Sequence, residues 1–294
     1  MLFACGATLL FSWSVIFARR SAGALGTWDA VWLRTVFASA ILFPLAMLFG
    51  HGFHGPGLIF FLISGFVGFG LSDFALFRAL PPLGARLSLL VVQCLAAPIA
   101  AGIEWTFRGT TLTWVQFGLI GLILGGVATA LAPKNLPTGS RAVLLAGIAW
   151  GVLAALGQAL GAVLSRSGFA ASQAAGLNLD AFSSTAQRML GGLVFIVLIF
   201  VLGGKSLHFL RDRQAFRKGA GWALGNSLAG PVLGVTCYQA ALRDWPSGLV
   251  LPVVATAPLV ILPLSWWLEG DRPTFRSLLG GIVAVGGVVG LVLV

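Results

Sequence analysis

Acidic residues are scarce. The 294 positions hold 8 of them against 18 lysines and arginines, and charge of either sign occupies only 9% of the chain. So few acids argue against a protease built on two carboxylates. Cysteine is nearly missing: Cys5, Cys94 and Cys237 lie inside apolar runs and none belongs to a C-x-x-C. That excludes a disulfide framework and a zinc cluster and leaves them as core residues. There is no H-E-x-x-H, His51, His54 and His208 lie in or near turns, and Gly225-Asn226-Ser227-Leu228 lacks the glycine that follows a rhomboid-type serine. A P-loop is absent too, so ATP drive would need a partner. Without a nucleophile and base or a metal constellation, an intramembrane enzyme is the weaker class, and neither cofactor nor metal is expected.

What the chain has in excess is hydrocarbon. With 58% of its residues in AVILMFWYC it is too apolar for a soluble protein of this size. A transmembrane helix takes about 20 residues, so the length accommodates about ten helices and no sizeable soluble domain. The formal charge of +10 does not imply nucleic acid as a partner, because the basic residues sit between apolar runs and suit membrane orientation. The lipid bilayer is the expected surrounding. The apolar run from Leu2 to Ala18 lacks the basic start and cleavage site of a secretory signal and reads as a retained first span.

Charges and turn formers divide the chain into spans at 2–18, 30–49, 57–78, 84–105, 112–132, 141–165, 181–203, 219–242, 247–268 and 275–294. The run Gly50 to Gly57, with His51, His54 and Pro56, is a turn, since lipid-exposed backbone of that kind would lose its hydrogen bonds. The connection 204–218 is charged and suits either a plain connector or an amphipathic surface segment.

The second half echoes the first. Ala79-Leu80-Pro81-Pro82 leading into an apolar helix returns as Ala241-Leu242 before Pro246, Pro98 returns as Pro258, and Arg34 as Arg188. The spacing of about 160 residues suits a duplicated half. Two units are expected, 1–136 and 137–294. Five spans per unit is an odd number, so the second unit enters from the opposite side, giving an all-α integral membrane protein of ten helices in two inverted five-helix repeats. Loops after spans 1, 3, 5, 7 and 9 carry thirteen of the eighteen basic residues. By the positive-inside rule both termini then lie outside the cytoplasm.

These residues resemble the drug/metabolite transporter superfamily, EamA type, over essentially the whole chain. Leu10-Phe11-Ser12-Trp13-Ser14 followed by Arg19 is similar to that family's first-helix W-G-S, with Trp150-Gly151 repeating its core. Arg34 in Trp32-Leu33-Arg34-Thr35-Val36-Phe37-Ala38 is similar to its R-F-x-x-A helix start. Pro98 and Pro258 match its fourth-helix proline, Trp267-Leu268-Glu269-Gly270 resembles its L-G-E boundary, and Gly280 to Gly287 its glycine-rich last helix. In the first half the L-G-E position reads Phe107-Arg108-Gly109, so no role is carried over to an acid there. Members are generally described with cytoplasmic termini, against the charge count. The resemblance implies a ten-helix carrier in which helices 1–4 and 6–9 surround a central cavity while 5 and 10 brace the outside. It also implies export and amino-acid substrates. Gly121-x-x-x-Gly125 and Gly286-x-x-x-Gly290 are the expected bracing surface, since small residues let helices approach in lipid.

Ionisable groups at membrane depth are costly and face a cavity or a partner. Asp73, on one face with Phe66, Phe69, Gly70 and Phe77, can attract a cation, accept a coupling proton, or pair with Arg34. Arg34 and Arg188 snorkel to the interface by default; the alternative is that one binds a substrate carboxylate. A neutral polar lining is expected from Trp150, Gln158 and their neighbours Ala154, Gly161 and Ser165, and from Asn226, Gly230, Gly234 and Tyr238, completed by Trp13, Phe17, Gln93 and Gln239. Interhelical hydrogen bonding fits any one of these equally well. Pro44, Pro98, Pro231, Pro252, Pro258 and Pro263 permit kinks. Pro98, Pro231, Pro252 and Pro258 are the expected hinges. Glu104, Trp105, Trp114, Trp266, Trp267 and Glu269 are expected as interface anchors.

Together these features point to a secondary transporter of the cell (inner) membrane, moving small organic metabolites by alternating access as a monomer or homodimer, with proton coupling open through Asp73. A carrier of nucleotide-activated or lipid-linked sugars is the alternative, and it would want a more basic cavity than Arg34, Arg188 and Arg78 provide. A channel would rather show a filter motif in a symmetric oligomer.

Overall fold

Backbone in lipid must satisfy its own hydrogen bonds, and helices do so within one segment. In the computed structural model, which describes residues 1–132, 140–203, 213–261 and 274–294, the described residues form ten helices. In chain order these are α1 (Leu2–Leu25), α2 (Thr27–Phe49), α3 (Leu58–Gly84), α4 (Arg86–Arg108), α5 (Trp114–Leu131), α6 (Arg141–Ala174) and α7 (Ala181–Leu202). α8 runs through Arg213–Ser227, a π-helical Leu228–Gly234 and Val235–Asp244; α9 spans Ser247–Ile261 and α10 Phe275–Leu293. Eight of them, all but α8 and α9, are long and apolar enough to cross a membrane.

Several helices outrun their expected limits. α1 continues through Arg19 and Arg20 to Leu25 and stops at Gly26, whose φ of 84° favours glycine. α6 extends beyond 165 to Ala174, and α8 begins at Arg213 within the expected connector, the rest of which, 204–212, lies outside the described residues. The common reason is that charge marks where lipid ends, whereas a helix continues until its backbone is turned. α3 and α4 meet at Gly84, φ 73°.

Two sets of equivalent helices, α5 with α10 and α2 with α7, pair with one another and run antiparallel. Along the α5–α10 contact, Leu119 meets Gly290, Ile123 meets Gly287, and Gly126 meets Gly280 and Ala284. Along α2–α7, Trp32 near the start of α2 stacks on Phe200 near the end of α7, with ring centroids 5.0 Å apart. At the other end the backbone after α2 reaches Asp180 at the start of α7. Each unit's first helix packs on the other's third. α6 lies against α3 through Gly147, Gly157, Gly161 and Gly168, and α8 against α1 through Gly219, Gly225, Gly230 and Gly234. Both third helices carry a π-helical stretch, Phe66–Leu71 and Leu228–Gly234. These are two inverted repeats.

The bracing pair is present, with a different contact face. A Cβ on Gly126 would lie 2.6 Å from the Ala284 nitrogen and the Gly280 oxygen, whereas Gly121, Gly125 and Gly286 have nothing within 4 Å. Of the four expected glycines only Gly290 faces the partner helix; the motif spacing was right for close packing but chose the neighbouring stripe. Substituting Gly126 with alanine should therefore lower stability by ~1–3 kcal/mol through overpacking against backbone. Gly121→Ala should be neutral, or stabilising by up to ~1 kcal/mol from helix propensity. Thermal unfolding in detergent checks both.

α9 is interrupted at Ala255–Thr256. Pro258 has no N–H to donate to Val254 four residues back, so the ladder opens there. α1 covers the gap: Thr8 Oγ1 donates to the Val253 carbonyl at 3.2 Å and Ser12 Oγ to that of Ala257 at 3.0 Å. Pro44 and Pro98 sit inside α2 and α4, Pro252 inside α9, and Pro231 in the π segment of α8. Pro263, Trp266, Trp267 and Glu269 lie outside the described residues.

The Gly50–Gly57 turn is anchored on α7. Asp180 caps Ser183 N–H at 2.7 Å and accepts from the Ser183 hydroxyl at 2.7 Å and the His51 N–H at 3.0 Å; His51 Nδ1 also lies 3.0 Å away. Partial burial alone would push its pKa up. The hydrogen bonds from Ser183 and His51 outweigh that and hold it below the ordinary carboxylate value. A lowered folded-state pKa gives stability that is present above the unfolded value and lost as pH falls through the folded one. Asp180→Ala should thus lower stability by ~1 kcal/mol at neutral pH, as cap losses do. The gap from the wild type should close as pH drops below about 4, read by thermal unfolding across a pH series.

Candidate functional site

One cavity between the helices carries charged side chains that close no ion pair among the described residues. It lies between α2, α3 and α7 and has a volume of about 80 Å³. Arg34 of α2 and Asp73 of α3 line it together with Trp28, Trp32, Phe77 and Phe195. Two features of the sequence produce this. Arg34 sits two turns into α2, with Trp32 and Thr35 around it. Asp73 lies two residues after the end of the π segment of α3, whose wider turn re-aims the residues after it. Among the described residues Asp73 forms no ion pair with an arginine, yet its charge interacts through space with both Arg34 and Arg188.

Arg188 does not snorkel. It lies eight residues into α7, 4% exposed, with its guanidinium 4.7 Å from the Phe69 ring centroid and 5.5 Å from that of Tyr238. Glycines make the space: a Cβ at Gly68 would be 2.6 Å, and at Gly161 3.2 Å, from its terminal nitrogen. Its Nη1 donates to Gln239 Oε1 at 3.4 Å, whereas its Nε and the Gln239 Nε2 are buried with no partner. Snorkelling needs a route to the interface, and α3, α6 and α8 close it. Arg34 is half-buried and turned to the cavity.

Of the expected lining residues, Arg34, Asp73 and Phe77 share this cavity. The others lie away from its wall. Trp13 and Phe17 form an aromatic row with Trp222, capped by Arg20 at 4.6 Å. Asn226 accepts from Ser14 at 2.6 Å, and Tyr238 packs on Phe11 at 6.4 Å, so that stripe of α8 faces α1. Trp150 packs on Phe74, with Arg78 5.9 Å from its ring. In the same seam the Ala154 and Gly161 carbonyls accept from Ser72 and Ser64 of α3. Gln93 and Gln158 are half-buried. Phe66 packs on Phe195 at 5.0 Å behind the cavity. Sequence reasoning missed Trp28, Phe195 and the α7 wall; the cluster of Trp28 and Trp32 just before Arg34 was the available signal.

A larger recess of about 560 Å³ lies at the opposite end, beside Arg108, Arg166 and Arg243. Its arginines are already engaged: Arg166 Nε with Glu104 Oε1 at 3.1 Å, Arg243 with Asp244 at 3.0 Å, Arg108 with Ser167 at 3.3 Å. Glu104 corrects its assignment as an interface anchor. It is 1% exposed and also accepts the Ser247 N–H at 3.0 Å, so it ties α4 to α6 and to the start of α9. Trp105 and Trp114, 65% and 90% exposed, stand out as anchors do. The family model of the EamA-like transporter family matches residues 1–132 and again residues 145–293.

The chain belongs to the EamA-like transporter family. It is a multi-pass membrane protein of two EamA repeats, in a family of transporters and not of enzymes. A solved crystal structure, described only as that of a protein, matches with a TM-score of 0.75 over 98% of this chain and 95% of the other. At 18% identity it carries the fold alone. No match is found among curated proteins. In an EamA-family protein the Glu104–Arg166 pair joins helices of different repeats. Glu104→Ala should cost ~3 kcal/mol by leaving Arg166 without its partner. Glu104→Gln, which can still accept from Ser247, should cost less; unfolding in detergent measures the difference.

Proposed function

We propose that this EamA-family protein is a secondary active transporter that moves small organic metabolites by alternating access and exports amino acids or related compounds across the cell (inner) membrane. What carries the proposal is the cavity in which Arg34 and Asp73 stand among aromatic walls, without an ion pair among the described residues. A guanidinium binds a carboxylate through two parallel hydrogen bonds, a carboxylate attracts an ammonium, and aromatic faces suit a bulky side chain. An α-amino acid presents all three. Nucleotide-activated sugars would meet a carboxylate here where their phosphates need cations. Residues 1–136 and 137–294 are taken as the two moving units. Pro98, Pro231, Pro252 and Pro258 serve as hinges, and Asp73 is the group able to carry a coupling proton.

Efflux from membrane vesicles loaded with a mixed amino-acid pool tests this. Arg34→Gln and Asp73→Asn should each reduce exchange by ~10-fold or more, the worth of one charged hydrogen bond, with normal membrane yield. Poor yield of both single variants, restored in the double variant, would instead mark a structural charge pair and refute the site.

A further inference from the structure

The cavity is too small for what it would hold. About 80 Å³ falls well below the ~300–1,000 Å³ of a pocket that encloses an organic ligand. A substrate must therefore open further space, and one wall points to where. The Phe69 ring lines the cavity on one side and lies against the Arg188 guanidinium on the other, 4.7 Å from centroid to carbon. Behind that single ring are three polar side chains in a dry interior: Arg188, Gln239 and Tyr238, exposed by 4%, 0% and 6%.

Two donors there have nothing to donate to, the Arg188 Nε and the Gln239 Nε2. Buried donors without partners are destabilising, and more so when the group is charged. The charge at this depth is also out of balance. Arg34 and Arg188 face one carboxylate, Asp73, and among the described residues no other acid acts on either arginine, Glu104 reaching only Tyr238. An isolated positive charge in a low-dielectric interior calls for an anion.

We propose that Arg188, with Gln239 and Tyr238, forms a second, closed subsite for a carboxylate, and that Phe69 is the partition that swings aside to join it to the Arg34–Asp73 cavity. The substrate class is an amino dicarboxylate. Its α-carboxylate and ammonium meet Arg34 and Asp73, and its additional carboxylate accepts from the Arg188 Nε and the Gln239 Nε2. The occupied site is then electrically neutral, and both orphaned donors are satisfied. The proposal rests on the cavity being the substrate site, and the test separates the two.

Isothermal titration of the purified full-length protein in detergent, with L-phenylalanine and 4-carboxy-L-phenylalanine as probes, compares the same scaffold with and without the second carboxylate. The expected result is binding of the dicarboxylate ~10-fold or more tighter than phenylalanine, as a charged hydrogen bond gives. Arg188→Lys keeps the charge but not the planar fork and should abolish that preference. Phe69→Ala, which removes no charge and keeps the test alive should the lysine variant not fold, should widen the preference. Equal affinity for the two probes, or a preference untouched by both variants, overturns the subsite and leaves Arg188 a packing charge. Phenylalanine binding that is indifferent to Arg34→Gln, or no binding of either probe, overturns the cavity itself and the subsite with it.

Discussion

Lipid tails are as apolar as leucine, so helices in a bilayer gain little from hiding hydrocarbon and must hold together by close backbone approach and by polar contacts. Everything in this fold follows from that constraint. The α1–α8 and α3–α6 seams are rows of glycine against side chains or backbone of the partner. The hydroxyls that cross them, Ser64 to Gly161 at 2.6 Å and Ser72 to Ala154 at 2.8 Å, end on carbonyls. Each seam joins the first helix of one repeat to the third of the other. Two inverted units therefore interlock instead of merely abutting, and a change in one seam has a pseudo-equivalent in its counterpart.

The same constraint governs irregular backbone. α9 opens at Ala255–Thr256, where Pro258 withholds its N–H, and the neighbouring Thr8 and Ser12 of α1 bond the carbonyls on either side. Irregular backbone at membrane depth survives only where protein covers it. The π segments of α3 and α8 lie in the middle of the inter-repeat seams, and the one in α3 ends two residues before Asp73. Geometry that would be a defect in an isolated helix is here tied to the placement of the charged group.

Charges divide by how they are compensated. Glu104 has Arg166 and the first N–H of α9; Asp180 has His51, Ser183 and the helix start it caps. Those two fasten helix ends. The inner group of Arg34, Asp73 and Arg188 is different, since its members influence one another without closing direct pairs. Incomplete compensation of charge inside a membrane protein is expensive.

Much of the architecture was legible in composition and spacing. Hydrocarbon content, ten apolar runs and the echo at about 160 residues imply ten helices and two inverted units, because lipid permits few backbone solutions and an odd helix count reverses the second unit. The candidate charges Arg34, Asp73 and Arg188 were visible for the same reason, as ionisable residues inside apolar runs. Which way they turn was not. Arg188 could be placed on a helix but not in its pocket, because the space it occupies is left by Gly68 and Gly161 on two other helices. Glu104 read as an end-of-span anchor until Arg166, 62 positions further on in the numbering, stood 3.1 Å away. The glycine stripe joining α5 to α10 was ambiguous between adjacent faces, since glycines at 121, 125 and 126 fit the pattern alike. Sequence alone determined the ten helices found among the described residues and the reversal of the second unit relative to the first, since these depend on which segments enter lipid and on their odd number per unit. Rotation of each helix about its axis, and with it every neighbour a polar group meets, was decided only by packing, because that energy belongs to pairs of surfaces that no single segment contains.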